Sequence, residues 1–88
     1  AVGIQTASNV YFDKSAKDLT IEESAMLIGM CKNPSQFNPN RRPEAALGRR
    51  NVVLEQMKKA GFISEATLNS LKQTPLGLKF KKVDQRMD

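Results

Sequence analysis

The 88-residue chain has no histidine, no tryptophan and a single cysteine, Cys31. One cysteine excludes an internal disulfide, and the absence of histidine argues against a zinc site and removes the commonest general base. The longest apolar run, 25–31, is too short to span a bilayer, and no segment has the pattern of a signal peptide. We expect Cys31 to be a small buried hydrophobe rather than a nucleophile, because nothing nearby in sequence would activate its thiol.

What the chain does contain is typical of a small globular unit. Charged residues make up 26% of the sequence and hydrophobic residues 40%, which favours a folded domain with a modest core over a disordered segment. The net charge of +5 favours anionic partners. The basic residues are concentrated in two regions. They are Lys32, Arg41, Arg42, Arg49 and Arg50 in the middle, and Lys79, Lys81, Lys82 and Arg86 in the tail.

Hydrophobic periodicity and end signals predict an all-α fold of four helices followed by an extended tail. The first helix covers roughly residues 4–12, and the second begins at a capping box, Thr20 to Glu23. The third helix runs from Pro43 to Ala60, and Ser64 caps a fourth over residues 65–72. The tail becomes extended at residue 75, and no segment reads as a convincing strand.

The second helix is apolar on every side from residue 25 to residue 31. Such a helix is normally enclosed by other elements, and three short neighbours can hardly cover it. Gly29 within it costs about 1 kcal/mol relative to alanine, so we expect a neighbouring backbone to come close there. The pattern suggests that the chain is part of something larger.

The third helix places an arginine, Arg50, in the middle of its apolar stripe, with Arg49 on the flank. The stripe contains Ala46, Val53, Leu54, Met57 and Ala60, and the opposite face carries Asn51, Glu55, Lys58 and Lys59. A buried guanidinium must be paired. We expect its acceptors to be Glu22, Glu23 or carbonyls of the 32–40 loop. The simpler alternative is an arginine that snorkels at the edge of the core.

Several short motifs follow one another along the chain. They are Gly3-Ile4, Ala7, Y-F-D-K at 11–14, L-T-I-E-E-S-A-M-L at 19–27, N-P-S at 33–35, N-P at 38–39 and R-R-N-V-V-L-E-Q-M at 49–57. Their order and spacing resemble the C-terminal part of a peptidoglycan glycosyltransferase domain, the glycosyltransferase 51 module of class A penicillin-binding proteins and monofunctional transglycosylases. The resemblance extends over about residues 3–80, and R-R-x-x-V-L corresponds to the last of the family's five motifs.

The resemblance implies a lysozyme-like helical domain that joins the disaccharide of lipid II to a growing glycan strand and releases undecaprenyl diphosphate. Two glutamates in upstream motifs, E-D-x-x-F-x-x-H and R-K-x-x-E, carry that chemistry in the family. Neither motif is present in these 88 residues. We therefore expect the isolated chain to be inactive, with residues 1–80 forming the C-terminal part of the domain and 81–88 a tail or linker.

For the residues that are present, the resemblance implies supporting roles. Arg50 would brace the wall of the catalytic lobe, Arg49 would face the cleft, and Lys14 would lie near a phosphate. A solvated lysine in a turn is the simpler interpretation of Lys14. Glu22 and Glu23 lie in the first turn of the second helix, where capping and dipole roles are expected rather than acid–base chemistry.

The resemblance also implies partners and a location. The complete enzyme would use a divalent metal ion that this chain does not hold, and it would act on lipid II and a glycan strand at the outer face of the cytoplasmic membrane. The chain itself should form a homo-oligomer or be partly molten, because the second helix lacks cover. Two alternatives are a basic helical module that binds nucleic acid and a structural self-associating domain. The first is disfavoured, since the basic residues do not share one helix face and do not alternate with aromatics.

Overall fold

The computed structural model describes residues 4–78, which form four α-helices. They are α1 (Ile4–Phe12), α2 (Ile21–Lys32), α3 (Pro43–Lys59) and α4 (Glu65–Lys72), with a 3₁₀ turn at Ala16–Asp18 between the first two. No strand occurs within these residues, so the predicted all-α class is confirmed. The predicted tail or linker at 81–88 lies outside the described residues. No helix in the described part is long and apolar enough to cross a membrane.

The helix ends follow the signals read from the sequence. The Thr20 hydroxyl accepts a hydrogen bond from the Glu23 backbone N–H at 3.3 Å, and the Glu23 carboxylate accepts one from the Thr20 N–H at 2.9 Å. Pro43 occupies the first turn of α3, where its missing N–H does no harm. Gly61 has a φ of 90°, as the reversal after α3 requires, and the Ser64 hydroxyl caps α4.

Two clusters of buried side chains make up the core, and α2 contributes to both of them. One cluster joins α1, α2 and the start of α3, and half-buried Leu76 and Leu78 pack against it from the chain that follows α4. The other cluster joins α2, α3 and α4 through Ala25, Leu54 and Leu68, among others. The segment after α4 therefore returns to the bundle instead of leaving it.

The prediction that too few neighbours would leave part of α2 uncovered is confirmed within the described residues. Ile21 is 44% exposed, Ile28 is 49% exposed, and Cys31 is exposed as well. The predicted burial of Cys31 was wrong, because within the described residues α1 and α3 flank α2 and neither covers the face that carries Cys31. The predicted approach of a neighbouring backbone at Gly29 is confirmed, because a Cβ there would lie 3.4 Å from the carbonyl oxygen of Arg49, and only 2.7 Å from its Cγ.

Candidate functional site

Arg50 lies at the centre of a polar node between α3 and the end of α4. Its side chain is fully buried, at 1% exposure. Nη1 donates to the hydroxyl of Thr74 at 3.3 Å and to the carbonyl of Pro75 at 3.2 Å. Nη2 donates to the carbonyl of Leu71 at 3.1 Å, and both Nε and Nη2 donate to Oδ1 of Asn51, at 3.1 and 2.9 Å. The guanidinium is thus held by the last carbonyls of a helix, where a cation is stabilised by the helix dipole.

The expected acceptors of Arg50 were of the right kind but on the wrong segment. Neither glutamate at the start of α2 bonds to it, and the carbonyls come from the 71–75 region rather than from the 32–40 loop. Snorkelling is excluded, because the head of the side chain is buried together with its stem. Burial lowers the pKa of Arg50, and the negative charge of Glu22 partly offsets that effect.

Two partners of Arg50 were missed by the sequence analysis. Asn51 was placed on the solvated face of α3, yet it is half-buried and accepts two bonds from its neighbour. Thr74 was read as a helix stop, yet its hydroxyl accepts from Arg50 while donating to the Leu71 carbonyl at 2.7 Å. No periodic pattern links Arg50 to a residue 24 positions later, so the sequence carried no signal for this contact.

Arg49 lies beside a different set of neighbours, between α2 and the loop that precedes α3. Its Cγ packs against Gly29, and its guanidinium carbon is 5.9 Å from the centroid of the Phe37 ring. Such a contact between a cation and an aromatic ring stabilises the loop against the helix. Nε of Arg49 is buried and has no hydrogen-bond acceptor within residues 4–78. The side chain is half-buried, which agrees with a position on the flank of the apolar stripe.

Lys14 is held at the junction of α1 and α2. Its ammonium donates to both carboxylate oxygens of Glu23, at 3.0 and 3.2 Å, and its carbonyl accepts from the Ser8 hydroxyl at 2.6 Å. Burial alone would raise the pKa of Glu23, but the Thr20 N–H and the Lys14 ammonium outweigh it and hold that pKa below its ordinary value. Lys14 therefore supports the capping box, and among the described residues no hydrogen bond joins it to Arg49 or Arg50.

The described residues do not provide a place for the divalent metal ion that the resemblance implies. Within residues 4–78 no three histidine, cysteine, aspartate or glutamate side chains come together in a way that could hold a metal. Two of the glutamates are engaged in ion pairs, Glu23 with Lys14 and Glu55 with Lys72 at 2.9 Å. Arg49, Arg50 and Lys14, the three predicted site residues, fix helices and loops relative to one another in this structure.

The fold and the motif order agree with comparisons to known proteins. The transglycosylase family model matches residues 1–58. Penicillin-binding protein 1B of Haemophilus influenzae is 40% identical over 79 residues, which are 90% of this chain and 10% of that protein. Penicillin-binding protein 1A of Streptococcus oralis is 43% identical over 74 residues, which are 84% of this chain and 12% of that one.

A solved structure shows the same arrangement of helices. The crystal structure of penicillin-binding protein 1A from Haemophilus influenzae superposes with a TM-score of 0.83 at 34% identity, over 91% of this chain and 12% of that one. The bundle is therefore an all-α unit of the kind found in that protein. The chain belongs to the transglycosylase family, as the motifs predicted, and it spans about a tenth of the length of the curated relatives it matches.

Proposed function

We propose that the chain is the C-terminal part of a peptidoglycan glycosyltransferase domain, which polymerises lipid II into glycan strands during bacterial cell-wall synthesis. The observation that carries this proposal is the family match over residues 1–58, joined to a TM-score of 0.83 with a penicillin-binding protein. The proposed setting is the outer face of the cytoplasmic membrane, where lipid II and the growing strand meet the complete enzyme.

In this proposal the chain supplies support, and the chemistry lies elsewhere in the polypeptide. The two family glutamates belong to motifs that these 88 residues do not contain. We assign the divalent metal ion to those other parts as well, since the described residues form no cluster of three ligands. Arg50 braces α3 against α4, Arg49 holds the loop at Phe37, and Lys14 holds the start of α2. Each of these contacts would keep one wall of the catalytic lobe in shape.

The first test is activity of the purified chain toward lipid II. We expect no glycan product, because no catalytic glutamate is present. Product from a preparation free of full-length enzyme would overturn the assignment of roles. A second experiment uses a chimera in which this chain replaces the aligned segment of penicillin-binding protein 1A from Haemophilus influenzae. We expect the chimera to polymerise lipid II. A folded but inactive chimera would count against the proposed function.

We also propose that the isolated chain self-associates, since α2 leaves Ile21 and Ile28 about half exposed. Light scattering should show a species larger than a monomer at micromolar concentration. A monomer with sharp cooperative unfolding would contradict this part of the proposal without touching the family assignment.

A further inference from the structure

The segment that follows α4, residues 73–78, passes from one core cluster to the other. α4 itself belongs to the cluster that contains Leu68. Leu76 and Leu78 pack against the other cluster, to which α1 contributes Phe12. Among the described residues, α1 contributes nothing to the α4 cluster. The segment therefore links the end of α4 to the cluster that holds α1.

The segment runs along α3, from Arg50 toward the start of that helix. Nη1 of Arg50 donates to the hydroxyl of Thr74 at 3.3 Å and to the carbonyl of Pro75 at 3.2 Å. Ala46 lies one turn before Arg50 on the same face of α3, and it belongs to the cluster against which Leu76 packs. The polar anchor of the segment and its apolar contacts therefore follow one another along one face of α3.

Thr74 connects this segment to two helices at once. Its hydroxyl accepts a hydrogen bond from Arg50 on α3 and donates one to the carbonyl of Leu71 on α4 at 2.7 Å. Residues 75–78 form neither helix nor strand, and within the described part of the chain no backbone–backbone hydrogen bond involves them. The two leucines of the segment are only half-buried, so their packing is a weak counterweight to the conformational entropy lost on ordering it. The anchor at Thr74 reduces that entropic cost.

We propose that residues 73–78 are a strap latched by the Arg50 node, and that this latch determines how firmly α1 is held in the bundle. When the latch opens, the strap withdraws Leu76 and Leu78 from their cluster, and α1 loses part of its apolar cover. Among the described residues, the other cluster contains none from the strap or from α1, so α2, α3 and α4 can stay packed while α1 opens. Such local opening in contiguous units is a general property of folded chains. The coupling does not depend on the function proposed above.

Hydrogen exchange of the backbone amides of α1 in the 88-residue chain measures this coupling. In Thr74→Val, which removes the hydroxyl and nearly keeps the size of the side chain, α1 should exchange about fivefold faster than in the wild type, because the latch loses the bonds of that hydroxyl. Amides of α3 near Leu54 should change much less. Ser64→Ala is the matched control, since it removes the hydroxyl that caps the other end of α4, and it should leave α1 unchanged.

Three results of this comparison would overturn the proposal. They are unchanged exchange of α1 in Thr74→Val, equal effects of Thr74→Val and Ser64→Ala on α1, and a uniform loss of protection over all four helices in Thr74→Val. The last result would mean that the hydroxyl stabilises the whole bundle rather than the hold on α1.

A second comparison tests whether Thr74 acts through the strap. The double substitution Leu76→Ala with Leu78→Ala should also speed the exchange of α1, because the strap then covers less of the cluster. Adding Thr74→Val to that double variant should have no further effect on α1, since a strap without its leucines no longer transmits the state of the latch. A further acceleration of about fivefold would show that Thr74 acts on α1 by another route and would overturn the proposal. Unaltered exchange of α1 in the double leucine variant would overturn it as well.

Discussion

Arg49 and Arg50 are neighbours in sequence, yet they lie in two different regions of the molecule. They point about 100° apart around α3. Arg50 is enclosed by α4 and the turn after it, with acceptors for all three of its guanidinium nitrogens. Arg49 rests on Gly29 and Phe37, and its buried Nε has no acceptor among the described residues. The described residues therefore satisfy the guanidinium of Arg50, whereas they leave Nε of Arg49 without an acceptor.

The difference shows how a buried cation can be accommodated without a carboxylate. The node at Arg50 uses the carbonyls of Leu71 and Lys72 at the C-terminal end of α4, and the Leu71 carbonyl is shared with the N–H and hydroxyl of Thr74. Thr74 and Asn51 supply the remaining acceptors. Charge-assisted hydrogen bonds of this kind are stronger than neutral ones, which offsets the cost of removing the guanidinium from water.

The largest expected effect is the loss of this node. Arg50→Ala should lower the free energy of unfolding by about 3 kcal/mol, because it removes several charge-assisted bonds and takes from Oδ1 of Asn51 the two bonds that Arg50 donates. Arg50→Lys should recover little, since an ammonium cannot reach the acceptors on both sides of a planar guanidinium. Urea unfolding of the three proteins at pH 7 measures the ranking. A lysine variant as stable as the wild type would show that the bonding geometry of the guanidinium is unimportant.

A second prediction concerns the contact between Arg49 and Gly29. Gly29→Ala should destabilise the chain by about 1 kcal/mol, although alanine favours helix by a similar amount, because its Cβ would lie 2.7 Å from Cγ of Arg49. In a protein that also carries Arg49→Ala, the Cγ atom of Arg49 is absent and no longer contacts the new Cβ. The same Gly29→Ala substitution should then be neutral or stabilising.

The wild type, Gly29→Ala, Arg49→Ala and the double variant form a double-mutant cycle. Urea unfolding of these four proteins gives the coupling free energy between the two sites. A coupling near zero would mean that the two helices can shift apart at no cost. As a control, Gly48→Ala should show no coupling to Arg49→Ala, since a Cβ at Gly48 would meet nothing within 4 Å. Together with the Arg50 series, this cycle separates packing at Arg49 from hydrogen bonding at Arg50.

The helices were predictable from sequence because their signals are local. The bounds of α1 and α4 agree with the predicted ones, and the capping box, Pro43 and Gly61 mark the other ends. These residues act on backbone groups within one turn, so no tertiary information is required. The lack of cover on α2 was also predicted, but not which face would be exposed, and the exposure of Cys31 was missed for that reason. Periodicity identifies an apolar face, but it does not say which face has a partner.

At the Arg50 node, too, the sequence predicted burial but not the neighbouring residues. The stripe position of Arg50 predicted that it would be buried and paired, and the structure buries it. The identity of the partners depends on how α4 packs against α3, which is a contact between residues more than 20 positions apart. Such contacts leave no periodic signal in a single sequence. The roles of Arg49, Arg50 and Lys14 in an active enzyme remain proposals that the chimera can test.

The smallest expected effect is at Lys14, whose ion pair is partly exposed and therefore screened. The side chains of Lys14 and Glu23 are 31% and 14% exposed. Lys14→Met should lower the free energy of unfolding at pH 7 by at most about 1 kcal/mol. Because the folded-state pKa of Glu23 lies below its ordinary value of 4.5, its contribution is present above that pH and is lost as the pH falls through the folded pKa.

The difference between wild type and Lys14→Met should therefore shrink as the pH is lowered below 4.5, since a protonated Glu23 no longer gains from the ammonium. Urea unfolding at pH 7 and at about pH 3 measures this difference, with Lys17→Met as the matched control. Lys17 is an exposed lysine on the same connection that makes no ion pair among the described residues. A Lys14→Met effect of equal size at both pH values would show that the stem of Lys14, rather than its charge, stabilises the junction of α1 and α2.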